Sequence, residues 1–335
     1  MKKRSFSFVS ASLVAIGGVI GAGFASGREI YTFFRSETRG ILVGAAVFAI
    51  MFVFSLAVYF FGRENDVDSM NSFSESLSKK GSHIITSAYM FCFYVVIAAM
   101  LSGIDELFSF LGVSFPIFSI ASFFLCAAFF VNGIKGIERA NFVLTPVLII
   151  LLAVITSGFG GEKSVAENPD VVVTGVNGLM YVSMNFCLSS VVMAESGKSM
   201  TKRQSVFAAL LTSAVVGTLV GLFIEALSKG NFADVAIPIT SMTSGGVLWI
   251  FAIITLYFSI ITTLLASCLP VYSFWQSRQK GKILPLALVF APSFLLSRFG
   301  FIKILSSFYP IQSVVGMIAL VLMLSKLRKP RISTV

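Results

Sequence analysis

Five glycines stand within eleven positions of the first long apolar run, in Ile16-Gly-Gly-Val-Ile-Gly-Ala-Gly-Phe-Ala-Ser-Gly-Arg-Glu29. Each costs about 1 kcal/mol relative to alanine in a helix interior, because glycine loses the most backbone freedom on ordering. An unbroken membrane helix gains nothing in return. Backbone that leaves the helix at such depth is tolerated only where it is buried in protein or lines a cavity. The run therefore predicts a helix that breaks in mid-membrane and leaves N–H and C=O groups free to meet a ligand, as discontinuous helices do in secondary transporters. Gly17-x-x-x-Gly21 and Gly23-x-x-x-Gly27 also have the spacing of closely packed membrane helices, and that reading stands beside the break. The density of glycine favours the break.

Hydrophobic residues make up 56% of the chain and charged ones 12%, against about 25% charged in a soluble domain. The chain is thus expected to be an all-α integral membrane protein. A membrane helix needs about 20 mostly apolar residues. Ten segments qualify: 7–34, 40–62, 84–111, 115–132, 138–157, 173–196, 204–227, 246–274, 282–298 and 302–326. Longer connections fall at 63–82, 158–172 and 228–245, and the stretch from Phe232 to Ser241 is amphipathic enough for a short helix on the rim. Met1-Lys-Lys-Arg4 runs on past Gly23 without a convincing cleavage site, so this segment reads as the first span and not as a cleaved leader.

The net charge of +10 sits in short loops between apolar runs, which reports topology and not a nucleic-acid partner. With the N-terminus inside, 18 of the 25 Lys and Arg residues are cytoplasmic, which places both termini on that side of the cell membrane. Trp249 and Trp275, 26 residues apart, bracket span eight as an interfacial belt does. Cys92, Cys126, Cys187 and Cys268 are scattered through apolar runs without a CxxC and read as small buried hydrophobes. Walker, HExxH and Gly-x-Ser-x-Gly patterns are absent, and no span pairs a nucleophile with a base. An enzyme is not expected, nor an organic cofactor.

Span six, the counterpart of span one five helices on, has a polar centre with Ser183, Asn185, Ser189 and Ser190. A second break there would make the chain one transmembrane domain, 1–335, of two inverted five-helix repeats, 7–157 and 173–326. The same serines also suit helix-packing contacts. Where a helix breaks, freed N–H groups suit a carboxylate and freed carbonyls suit a cation. Intramembrane charges are functional candidates in their own right. Arg28 and Glu29 lie just beyond the glycines, and Asp105 and Glu106 in the outer part of span three. Arg28 with one of these two acids is expected to form an outer gate; the alternative is charges solvated by water and headgroups. Glu195, at the inner end of span six, is placed to latch the cytoplasmic side through Arg4 or Lys3, or simply to be a solvated helix end.

The segment from Gly18 to Glu29, with Phe308-Tyr-Pro310 opening the last span, resembles the YkvI-type membrane transporters. That group is similar to the amino acid–polyamine–organocation superfamily with its LeuT-like 5+5 inverted-repeat fold. The resemblance covers essentially the whole chain. It implies alternating access, with discontinuous helices one and six. In Phe258-Ser-Ile-Ile-Thr-Thr-Leu-Leu-Ala-Ser-Cys-Leu-Pro270 two adjacent hydroxyls precede a proline as in sodium-coupled members. By that resemblance the hydroxyls of Thr262 and Thr263 and the carbonyls of Ser259, Gly17 and Ile20 form a sodium shell, five hard oxygens for a hard cation. The pair of threonines also fits bonding back to its own helix. Proton-coupled relatives carry a lysine in span five, and Ala140–Thr156 has none.

The same resemblance puts a small organic solute, an amino acid or related carboxylate, against Gly21 and the amides of Ala22 and Gly23. Tyr94, Ser183, Asn185, Phe186 and Ser189 line the remainder. The broken part of span one has no aspartate, which argues against an amine held directly by side-chain charge and departs from the metal-ion branch. A ligand-sensing receptor without net transport is the rival reading. A channel is a weaker rival, since no charged ring or repeated filter is visible.

Overall fold

The computed structural model describes residues 7–34, 37–109, 112–113, 115–159, 169–230, 232, 237–243 and 246–327. Among these, every regular element is an α-helix. The first span is in three pieces: α1 (Phe8–Val19), α2 (Ala22–Ala25) and α3 (Arg28–Phe34). Span two is α4 (Gly40–Glu64), and α5 (Met70–Leu77) is a short helix in the loop that follows. Spans three to five are α6 (Ser82–Ser109), α7 (Ile117–Phe130) and α8 (Ile134–Gly158). Spans six and seven are α9 (Val171–Lys198) and α10 (Lys202–Leu227), and α11 (Pro238–Met242) is the short rim helix. Spans eight to ten are α12 (Gly246–Gln276), α13 (Ile283–Ser297) and α14 (Phe301–Leu327).

Seven of these helices are long and apolar enough to cross a bilayer; α1, α7 and α13 are apolar but shorter. Each of the ten expected segments holds a helix, and the chain is a multi-pass membrane protein. The four cysteines are free and buried.

The break in span one lies at Ile20-Gly21, as the glycines predict. The Gly21 backbone is extended, at φ −88° and ψ −176°, and the helical ladder stops. A second change of direction falls at Gly27, whose φ of +78° is left-handed backbone that glycine adopts without a Cβ penalty. Two glycines therefore do different things. Gly21 keeps space beside Thr263, whose Oγ1 would stand 3.0 Å from an added Cβ, and Gly27 turns α2 into α3.

Span six does not break. The α9 ladder runs unbroken from Val171 to Lys198, and the expected discontinuity is corrected. The reason is local. The Ser183 hydroxyl donates to the Leu179 carbonyl at 2.7 Å, Ser189 to Asn185 at 2.9 Å and Ser196 to Val192 at 2.9 Å. Polar side chains that bond back four residues leave the main-chain helix in place.

Helix α1 sits at the centre, in contact with α8, α9, α10 and α12. Helices α4 and α10 touch through glycine: a Cβ on Gly44 would stand 2.7 Å from the Gly217 carbonyl, and one on Gly217 would stand 2.7 Å from the Gly44 carbonyl. Close approach of this kind replaces the hydrophobic drive that lipid cannot supply.

Candidate functional site

The five residues expected to hold a cation converge beside the break. The Ser259 hydroxyl donates to the Ile20 carbonyl at 2.7 Å, and Thr263 Oγ1 donates to the Gly17 carbonyl at 3.3 Å. Thr262 Oγ1 donates to the Ser259 carbonyl at 3.0 Å. Thr262 is fully buried and Thr263 is 2% exposed. Span eight thus lays its hydroxyls along the carbonyls that the break releases from the α1 ladder. Span five closes the far side: Thr145 Oγ1 donates to the Leu13 carbonyl at 3.2 Å, and the Asn141 amide presses on Gly17 with no room for a Cβ. A buried shell rich in hydroxyl and carbonyl oxygen has the donor chemistry of a hard cation such as sodium.

The solute residues separate into two groups. Ser189 lies against Gly18, its Cβ 3.7 Å from where a glycine Cβ would be, and Asn185 donates to Glu29 Oε1 at 3.0 Å and to the Tyr181 carbonyl at 3.1 Å. Gly21, Ala22 and Gly23 begin α2, and none of the described hydrogen bonds uses the N–H of Ala22 or Gly23. The other group points elsewhere. Tyr94 donates to the Leu288 carbonyl at 2.8 Å and accepts from Trp275 Nε1 at 2.8 Å, so it holds span three to spans eight and nine. Phe186 packs edge-on against Phe54 at 5.3 Å, and Ser183 is spent on its own helix.

Sequence reasoning missed two tyrosines. Tyr89, not Tyr94, reaches from span three to span six, where its hydroxyl meets Ser190 Oγ at 3.2 Å. Tyr309, part of the quoted Phe-Tyr-Pro triplet, brings its hydroxyl to 3.0 Å from the position of a Cβ on Gly23. Glu29, noticed only as a charge beyond the glycines, folds back to the same glycine. The turn at Gly27 that brings it there has no counterpart in a helical-wheel reading.

The expected outer gate is also corrected. Asp105 pairs with Arg298 at 2.5 Å, joining α6 to α13, while the Arg28 guanidinium donates to the Phe232 carbonyl at 3.2 Å and lies over Tyr31. Glu106 is half-buried on α6. Ile239 N–H donates to the Ser26 carbonyl at 3.0 Å, so the rim helix α11 rests on the bend of span one. The loop between α3 and α4 is tied to the start of α9. Glu37 accepts from Arg39 at 2.6 and 2.7 Å and from Thr174 at 2.8 Å. Burial works against the Glu37 charge, but these bonds outweigh it and hold the carboxyl below the usual range.

At the opposite end Ser10 Oγ donates to Glu138 Oε1 at 2.5 Å, and Lys198 pairs with Asp68 at 3.1 Å. Glu195 is half-buried in the last turns of α9; Lys3 and Arg4, its expected partners, lie outside the described residues.

A central span broken beside two hydroxyl-bearing turns of span eight, within a ten-span helical bundle, defines a LeuT-like membrane protein. The solved structure of MhsT in complex with L-phenylalanine matches 93% of this chain and 87% of its own at TM-score 0.68 and 16% identity. Mhp1, a nucleobase-cation-symport-1 family transporter with bromovinylhydantoin bound, matches 97% of this chain and 76% of its own at TM-score 0.61 and 16% identity. A Na+-coupled sialic acid symporter in an outward-open, substrate-bound state matches 96% and 79% at TM-score 0.63 and 12% identity. Two proteins of Bacillus subtilis (strain 168) are similar in sequence. The uncharacterized membrane protein YkvI is 24% identical over 95% of both chains, and the uncharacterized protein YyaD 23% identical over 93% of this chain and 94% of its own. No protein-family model matches the chain.

Proposed function

We propose that this protein is a secondary transporter that carries a small organic solute, an amino acid or related carboxylate, by alternating access with sodium as coupling ion. The observation that carries the reading is the meeting of Gly17, Ile20, Ser259, Thr262 and Thr263 at the break in span one. Sodium placed among these oxygens would tie the broken span to span eight, which gives the ion a different affinity in each state of a rocking bundle. Only such a difference can couple an ion to a conformational change. The fold likeness to MhsT, Mhp1 and the sialic acid symporter supports a carrier. The reciprocal glycine contact of spans two and seven supports a pair of inverted repeats. Freed amides at Ala22 and Gly23 would take a carboxylate. The excess of Lys and Arg on one side supports a cell-membrane protein with both termini cytoplasmic.

Reconstituted proteoliposomes test the proposal. A sodium gradient should drive saturable uptake of a component of a labelled amino-acid and organic-acid mixture, and a potassium gradient should not. Binding without flux would move the reading to a ligand-sensing receptor. Gradient-driven uptake indifferent to sodium would remove the coupling ion.

A further inference from the structure

The carboxylate of Glu29 belongs neither to the cation shell nor to a salt bridge, yet it is 4% exposed. Because the chain turns at Gly27, Glu29 Oε2 comes to 2.7 Å from the position a Cβ would take on Gly23, where the Tyr309 hydroxyl also converges. The other oxygen accepts from the Asn185 amide. The Tyr181 phenol, fully buried, lies beside Asn185 and within electrostatic reach of Glu29, and it completes no hydrogen bond. Among the described residues no Lys, Arg or His pairs with Glu29.

A carboxylate withdrawn from water costs several kcal/mol unless a positive charge and hydrogen bonds compensate it. One amide donor does not. The surroundings show which kind of positive group fits. The Glu29 carboxylate oxygen and the Tyr309 phenol oxygen converge on Gly23, and the unpartnered Tyr181 phenol lies beside Asn185, the residue that holds the other carboxylate oxygen. An alkylammonium offers three N–H donors to such acceptors and a charge for the carboxylate. Sodium needs a full shell of hard oxygens, and this cluster supplies only a few.

We propose that Glu29, Tyr309, Tyr181 and Asn185 form a subsite for the ammonium group of the solute. The inference rests on the carrier reading and narrows its cargo to compounds bearing a protonated amine. It also revises the expectation that no side-chain charge near the break would meet an amine: the acid lies beyond the glycines in sequence and returns to them in space.

The test is thermal stability of the purified full-length protein in sodium, against matched sets of three compounds. Each set holds a common amino acid, the amine left without its carboxylate and the acid left without its ammonium group, for example phenylalanine, phenethylamine and hydrocinnamate. Ammonium-bearing members should stabilise the protein and the bare acids should not. Glu29→Gln should weaken the response to ammonium compounds about ten- to hundred-fold, the scale of a lost charged hydrogen bond. Tyr309→Phe, which keeps the ring and the fold, should weaken it several-fold. The subsite is overturned if the bare acids stabilise equally, if no ammonium compound stabilises the wild type, or if Tyr309→Phe and a folded Glu29→Gln both respond as wild type does. A Glu29→Gln protein that keeps its ammonium affinity but loses the pH dependence of uptake would assign the carboxylate to a proton instead, and that also overturns it. Sodium-driven uptake of a bare acid would keep the carrier and cancel the subsite. Ammonium-selective stabilisation without flux would do the reverse.

Discussion

Spans one and six meet where Gly18 touches Ser189, and only span one is broken. The sequence marks both as unusual, the first by glycine and the sixth by polar side chains. In α9 the hydroxyls turn back on their own carbonyls while the main-chain ladder continues beneath them. In span one glycine has no side chain with which to do that. The carbonyls of Gly17 and Ile20 are met from outside, by Thr263 and Ser259 of span eight. A polar centre in a membrane helix is therefore no signal of a break. Glycines opposite a hydroxyl-bearing helix are a better one.

The comparison can be broken at the packing of span six. A Cβ on Gly316 of α14 would land on the Ser183 carbonyl, and backbone cannot yield as a side-chain tip can. Gly316→Val should cost more than about 4 kcal/mol, seen as loss of monodisperse protein on size-exclusion chromatography. Next in size is the polar link between the two spans. Asn185→Ala removes the described donor to Glu29 and should cost about 1–3 kcal/mol, read as a lower melting temperature in detergent.

A smaller effect lies where Glu37 ties the end of span one to Thr174 of span six. Its folded carboxyl is held below the usual range. The stabilisation is therefore complete above the usual carboxylate pKa, about 4, and is lost as pH falls from there through the lowered folded value. The stability gap between wild type and Glu37→Gln should be constant at neutral pH and shrink on acidification below about pH 4. The smallest effect sharpens the contrast among the glycines themselves. A Cβ on Gly18 meets Ala266 and Ser189 at 3.6 and 3.7 Å, ordinary contact distances. Gly18→Ala should be neutral or stabilising by up to about 1 kcal/mol, unlike a substitution at Gly17, where the Asn141 amide leaves no space.

Much of this was legible from the chain. Each of the ten apolar runs holds helix, the first in three pieces, since a bilayer demands long apolar segments. The break in span one followed from glycine density. The spacing in span eight, with the resemblance that goes with it, singles out Ser259, Thr262 and Thr263, and the first and last of these meet the Ile20 and Gly17 carbonyls because an α-helix presents adjacent turns at fixed intervals. What escaped depends on tertiary contact. Depth along the helix points to Tyr94, yet rotation about the axis sends it to Leu288 and gives Tyr89 the contact with span six. Asp105 meets Arg298 and not Arg28, because Arg298 follows a short helix whose placement no local pattern encodes. Glu29 escaped because the left-handed turn at Gly27 reverses a side chain that a continuous helix would aim away.

The claim on which the account turns is that the break in span one and the hydroxyls of span eight hold sodium. The direct measurement is the melting temperature of the purified protein in sodium and in potassium at equal ionic strength, for wild type and Thr263→Ala. Binding to the folded state alone raises stability by RT ln(1 + [L]/Kd). The account predicts a rise in sodium for wild type that Thr263→Ala abolishes without lowering stability in potassium by more than about 1–2 kcal/mol. A wild type indifferent to the choice of cation, or a sodium response that survives Thr263→Ala intact, would contradict it.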